Sequence, residues 1–247
     1  MNYTGIVLAG GSGSRMKSAV PKQLLKVLGR PLLYYSLYAF EKSPMTNVVL
    51  VTPPGAESAY SAEFKEKYGF SKIAAVVPGG EERCDSVYNA LRAIREQGLP
   101  SDYVLIHDGA RACVTGGIIR DMMEGAERYG AAVAAVPSKD TVKVADPEGF
   151  VGATPDRNIL WNIQTPQAFE TGLITSAFER MYASAEANGD RPEHITDDSM
   201  VVERYGAHKV KLIEAAYTNI KVTTPEDIML CEEILKKQGW SPAENGQ

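Results

Sequence analysis

Five short apolar runs, at residues 3–8, 48–52, 72–77, 103–107 and 131–136, are separated by stretches of helical periodicity, and this alternation constrains the fold more than any other feature. The runs are rich in Val, Ile and Ala and mostly end at Gly, Pro or Asp, the pattern of buried strands. The stretches at 31–42, 85–97 and 116–128 read as amphipathic helices. Pro31 suits a first helical position, and Val87, Leu91 and Ile94 share one face. Strand and helix in alternation predict an α/β fold with a mostly parallel, twisted sheet and helices on both faces. In such sheets ligands collect outside the carboxyl ends of the strands, here the loops after Leu8, Val77 and His107.

The pattern changes after Val136. Residues 138–160 are mostly polar, with β-type Thr141-Val142-Lys143-Val144, the turn signal Asp146-Pro147-Glu148-Gly149, and then Phe150-Val151. This reads as a β-hairpin arm. It has little apolar surface of its own, so it either leans on a second subunit or stands as a plain surface hairpin. Helices are expected again at 171–188 and 197–205, and a strand at 208–213. The last helix has strong start chemistry: Thr224 as N-cap, Pro225 in first position, Glu226 and Asp227 in the first turn. The reading is a single domain over 1–237 with a flexible tail at 238–247.

A net charge of −5 argues against a general nucleic-acid binder. No segment approaches the roughly 20 apolar residues of a membrane span, and no basic stretch precedes the short apolar run at the N-terminus. The three cysteines, Cys84, Cys113 and Cys231, lie far apart with no CxxC pair, so neither a zinc site nor a disulfide framework is indicated. A cytoplasmic address is the expectation.

Leu8-Ala9-Gly10-Gly11-Ser12-Gly13-Ser14-Arg15-Met16, followed by Pro21-Lys22-Gln23, comes directly after the first strand. Glycines let backbone amides approach phosphates, and cations then neutralise the charge. A dinucleotide fingerprint would need a third glycine where Met16 stands, and a P-loop would need Gly-Lys-Ser/Thr. Gly79-Gly80-Glu81-Glu82-Arg83-Cys84-Asp85-Ser86 opens a helix after the third strand and either reads a base or ribose or simply caps the helix. In His107-Asp108-Gly109-Ala110-Arg111, a carboxylate at a strand end suits magnesium and Arg111 suits a phosphate, while His107 reads as structural. Asp140-Thr141, Asp156-Arg157 and Gln164-Thr165-Pro166-Gln167 place Arg and Thr at the base of the arm, where they form a phosphate clamp or, for Arg157, a solvated charge. Lys221, in Asn219-Ile220-Lys221-Val222-Thr223, sits among apolar residues on an expected short strand and is a third candidate cation.

In this order the motifs resemble the nucleotidyltransferases that activate sugars and polyols, and within them the 2-C-methyl-D-erythritol 4-phosphate cytidylyltransferases of the non-mevalonate isoprenoid pathway. The likeness runs from about residue 5 to about residue 235. It implies a Rossmann-like nucleotidyltransferase fold, CTP and Mg²⁺ as ligands, and a homodimer built through the arm. It implies that Ala9, Gly10, Gly11 and Gly13, with Gly80, Glu81 and Ser86, hold the cytidine. Arg15, Lys22 and Lys221 would surround the triphosphate as the catalytic cations, and Asp108 would hold the metal. Arg111, Thr141, Arg157 and Thr165 would bind the acceptor, Thr141 and Arg157 from a partner subunit.

The chain departs from the family pattern at Gly10, Ala112 and Thr218, the last standing where a second acidic residue is common. None of these removes a cation or Asp108. A ribitol 5-phosphate cytidylyltransferase shares much of the pattern, but Asp140-Thr141-Val142-Lys143 and the Leu160-Trp161 spacing favour the methylerythritol enzyme. A non-catalytic nucleotide-sugar sensor should have lost one of Arg15, Lys22, Asp108 or Lys221, and all four are present.

Overall fold

A computed structural model describes residues 1–11, 20–188 and 195–243. In chain order the elements are β1 (Tyr3–Leu8), β2 (Lys26–Val27), β3 (Arg30–Pro31), α1 (Leu32–Glu41), β4 (Asn47–Thr52), α2 (Glu57–Tyr60), β5 (Ile73–Pro78), α3 (Arg83–Glu96), β6 (Tyr103–Asp108), α4 (Gly116–Tyr129), β7 (Ala131–Pro137), β8 (Val144–Ala145), β9 (Val151–Ala153), β10 (Trp161–Glu170), α5 (Thr171–Asn188), α6 (Asp198–Val201), β11 (Lys211–Glu214) and α7 (Pro225–Lys237).

Seven strands form the central sheet in the order β11-β7-β10-β6-β1-β4-β5. All neighbours pair in parallel except β10, which runs antiparallel to both β6 and β7. The sheet is therefore mostly parallel, as the alternation predicts. Because successive side chains point to opposite faces, each strand feeds two cores. Tyr3 and Val7 of β1, with Val48 and Leu50 of β4, pack under α1 and α4. Ile6, Val49 and Val51, on the other face, pack under α3 and α5.

Three readings change. Residues 161–170 form β10, a strand that sequence periodicity did not expose. Residues 219–223 are irregular rather than a short strand, although Val222 N–H donates to Ala110 O at 2.9 Å. Residues 238–243, expected to be loose, fold back over α1 and the β2–β3 turn. There the Trp240 ring lies 4.9 Å from Tyr35 and 4.8 Å from Tyr38, and Ala243 N–H donates to Leu28 O.

The last helix starts as expected. Thr224 and Asp227 form a capping box with Pro225 in the first turn. The arm is also a hairpin, β8 pairing antiparallel with β9, and it stands out from the body with every residue from 139 to 153 exposed.

Candidate active site

The carboxyl ends of β1, β5 and β6 open on one side of the sheet, and Asp108 is the last residue of β6. Gly109 follows because the chain turns against β1: a Cβ there would lie 2.9 Å from Leu8 O and 2.6 Å from Leu33 Cδ1. Asp108 is buried between cations. Lys221 Nζ lies 2.7 Å from Oδ2, and Arg83 Nε lies 3.3 Å from Oδ1. Burial alone would raise this carboxyl, but Arg83 and Lys221 hold it well below the usual carboxylate range. The two cations thus favour its ionised form.

Behind Asp108 the chain is bolted in place. Thr165 Oγ1 accepts from Asp108 N–H at 3.0 Å and lies 3.0 Å from His107 Nδ1. The hydroxyl proton is thus free to go to Nδ1, which fixes His107 as the tautomer whose Nε2–H faces Arg111 O at 3.3 Å. Complete burial lowers the His107 pKa to about 3. His107 is a neutral structural strut, as its sequence context suggested.

Two cavities flank Asp108 and share Arg83, Asp108 and Lys221 as a common wall. The first, of about 420 Å³, is lined by Gly10, Gly11, Lys22, Gln23, Gly80, Glu81 and Ser86. Gly80 lies so close to α3 that a Cβ would collide with that of Asp85. Ser86 Oγ accepts from Gly80 N–H at 3.0 Å and faces Glu82 O at 3.2 Å, while Glu82 and Asp85 form the capping box of α3. The helix-cap reading of this motif is therefore correct as far as it goes, and the capped turn also forms a cavity wall. Ala9 does not line the cavity. It is fully buried and its amide donates to Val51 O at 2.7 Å, rooting the glycine loop on β4.

The second cavity, of about 500 Å³, lies beyond Arg83. Its walls include Arg111, Gln164, Thr165 and Gln167 on one side and Asp197, Ser199 and Glu203 on the other. Arg111 Nη1 donates to Asn219 O at 2.8 Å, and Asn219 Nδ2 donates to Gln164 Oε1 and Thr165 O, both at 2.9 Å. These bonds tie the Lys221 segment to β10. Gln167 does the same for α6, donating to Asp197 Oδ2 at 2.8 Å and accepting from Ser199 N–H at 2.9 Å.

Of the residues predicted from sequence, Gly10, Gly11, Lys22, Gly80, Glu81, Ser86, Asp108, Arg111, Thr165 and Lys221 line one or both cavities. Gly13 and Arg15 lie outside the described residues. Thr141 and Arg157 are not brought to either cavity of the chain. Both are exposed on the arm, where Arg157 Nη1 donates to Lys139 O at 3.1 Å. The sequence pattern alone did not reveal the roles of Arg83 and of the Asp197–Asp198 pair. Asp198 is 1 % exposed and takes both Nη groups of Arg83, at 2.8 and 2.7 Å. Among the described residues no three His, Cys, Asp or Glu side chains gather as a ready-made metal cage.

The family described as IspD, 2-C-methyl-D-erythritol 4-phosphate cytidylyltransferase, matches residues 4–237. A protein of that name from Lachnospira eligens is 45 % identical over 233 residues, covering 94 % of this chain and 99 % of the relative. One from Caldanaerobacter subterraneus is 42 % identical over 238 residues, covering 96 % and 100 %. The crystal structure of 4-diphosphocytidyl-2C-methyl-D-erythritol synthase from Anaerococcus prevotii superimposes with a TM-score of 0.79 at 32 % identity, covering 95 % of this chain and 96 % of that one. The cytidylyltransferase of Thermus thermophilus gives 0.71 at 31 % identity, covering 94 % and 98 %.

Proposed function

The chain belongs to the 2-C-methyl-D-erythritol 4-phosphate cytidylyltransferase family and transfers a cytidylyl group from CTP to that phosphate with release of pyrophosphate, and on this premise we propose how its residues share the work. The reading rests on one observation: two cavities meet at a wall made of Arg83, Asp108 and Lys221. A nucleotide in the glycine-lined cavity would bring its α-phosphorus to this wall, and an acceptor phosphate in the other would reach the same wall from the opposite side.

The acceptor is a phosphate monoester whose second pKa is near 6, so it is largely ionised at neutral pH and needs no general base. His107, neutral and sealed, is not one. The barrier is the approach of one anion to another and the departure of pyrophosphate, and fixed cations answer both. Lys22 and Lys221, with Arg15, neutralise the triphosphate. Gly10, Gly11, Gly80, Glu81 and Ser86 hold the cytidine, and Arg111 and Thr165 hold the acceptor end. Thr141 and Arg157 complete the acceptor site from the arm of a second subunit.

Magnesium fits the donor set. A single strand-end carboxylate joined by substrate phosphate oxygens is a usual Mg²⁺ site, and Asp108 is such a carboxylate. When bound, the ion supplies charge neutralisation on the phosphates. The arm exposes more apolar surface than its mostly polar sequence suggests, with Phe150, Val151 and Ile159 at 68 %, 63 % and 73 % exposure, and this surface suits burial in a homodimer. A cytoplasmic address is part of the same proposal.

The test is pyrophosphate release by the purified chain. It is expected with CTP and 2-C-methyl-D-erythritol 4-phosphate, lost on chelation and restored by Mg²⁺. Preferential turnover of ribitol 5-phosphate would contradict the acceptor assignment.

A further inference from the structure

Arg83 stands where the two cavities meet, yet it is held from behind rather than from the site. Asp198, the first residue of α6, is 1 % exposed and engages both Nη groups, at 2.8 and 2.7 Å, as a bidentate fork. Only Nε is left to face Asp108, at the longer distance of 3.3 Å. Lys221, at 2.7 Å, is therefore the close partner of Asp108. The fork has its own scaffold. Asp197 caps α6 by accepting from Met200 N–H, and Gln167 of β10 grips both Asp197 and Ser199.

We infer that Asp198 is a positioning residue for the transfer step: by occupying both Nη groups of Arg83 it keeps the guanidinium upright between the nucleotide and acceptor cavities and prevents it from closing as a fork on Asp108 or on an incoming phosphate. A guanidinium pairs bidentately with whichever carboxylate or phosphate presents two oxygens. Without Asp198, the guanidinium is free to turn both Nη groups toward Asp108, which its Nε already faces at 3.3 Å, or toward an incoming phosphate. Released, Arg83 would bind the acceptor phosphate well but in the wrong place, so ground-state binding is kept or strengthened while the transition state loses a placed charge. The inference rests on the cytidylyl-transfer reading above.

The test is a kinetic cycle of Asp198→Asn, Arg83→Gln and the double variant, alongside the unmodified chain, with pyrophosphate release as the signal. Asn is isosteric with Asp, and folding of each variant is verified by CTP-binding stoichiometry in calorimetry. Asp198→Asn should lower kcat by about tenfold or more with the acceptor KM unchanged or lower, as a loss confined to the transition state does. Arg83→Gln should fall by a similar factor, and the double variant should be no worse than the poorer single, because Asp198 has no other route to the reaction. Wild-type-like kcat in Asp198→Asn, a raised acceptor KM that carries the whole loss, or multiplicative losses in the double variant would each overturn the role. Absence of turnover in the unmodified chain would instead overturn the transfer reading, and this role with it.

Discussion

The wall between the two cavities and the arm at 138–160 contain the same kinds of side chain, but in opposite surroundings. At the wall, Asp108, Arg83, Lys221 and Asp198 come from four separate segments and are held by ion pairs of 2.7–3.3 Å at the edge of a packed sheet. On the arm, Thr141 and Arg157 are exposed. Placing a charge requires a framework that resists its movement, and a strand end flanked by two cores provides one. A two-stranded hairpin does not, and needs a partner surface to acquire one. The wall is thus assembled within one chain, whereas Thr141 and Arg157 of the arm reach neither cavity of that chain.

The contrast breaks most visibly at the wall and in the glycine-lined cavity beside it. Asp108→Asn should reduce kcat by on the order of 10²–10³-fold, and Lys22→Ala by about 10²-fold, as for removal of a preorganised electrostatic group. Steady-state pyrophosphate release measures both, and near-normal turnover in either would place the chemistry elsewhere. Arg157→Ala sharpens the contrast from the other side. It should raise the acceptor KM about tenfold with kcat changed by less than about threefold, the signature of lost binding rather than lost transition-state charge. A kcat effect as large as that of Lys22→Ala would mean that the arm is part of the catalytic framework.

A separate effect concerns stability rather than turnover. His107 stays neutral in the fold until about pH 3, whereas the unfolded chain takes up a proton near pH 6.5. The unfolded state therefore binds more protons throughout that window, and stability falls as pH falls through it. Between pH 7 and pH 5 the loss should be about 2 kcal/mol, and His107→Gln should remove that slope. Urea denaturation at the two pH values reads it directly.

Much of this was legible in the sequence where the local pattern carries the physics. The five apolar runs became β1, β4, β5, β6 and β7, and Thr224-Pro225 became a helix start. Gly80 and Gly109 marked the close turns that bring the loops to the strand ends. What escaped depends on distant partners. Strand β10 includes Gln164-Thr165-Pro166-Gln167, whose polar side chains are satisfied by His107, Asn219, Asp197 and Ser199, so neither alternation nor apolar content betrays it. Asp198 sits in a first helical turn, where a carboxylate ordinarily serves the helix, and nothing local reveals that it is buried against Arg83. Trp240 follows a helix end and Gly239, the usual mark of a fraying terminus, yet packs on the aromatic face of α1.

The central claim is that cations from distant parts of one chain converge with Asp108 where two substrates meet. A crystal structure with a non-hydrolysable CTP analogue and Mg²⁺ tests it most directly. The account predicts cytidine against Gly80 and Ser86, and the α-phosphate between Lys22, Lys221 and Asp108 of the same chain. A triphosphate bound away from Asp108, or clasped mainly by the arm, would contradict it.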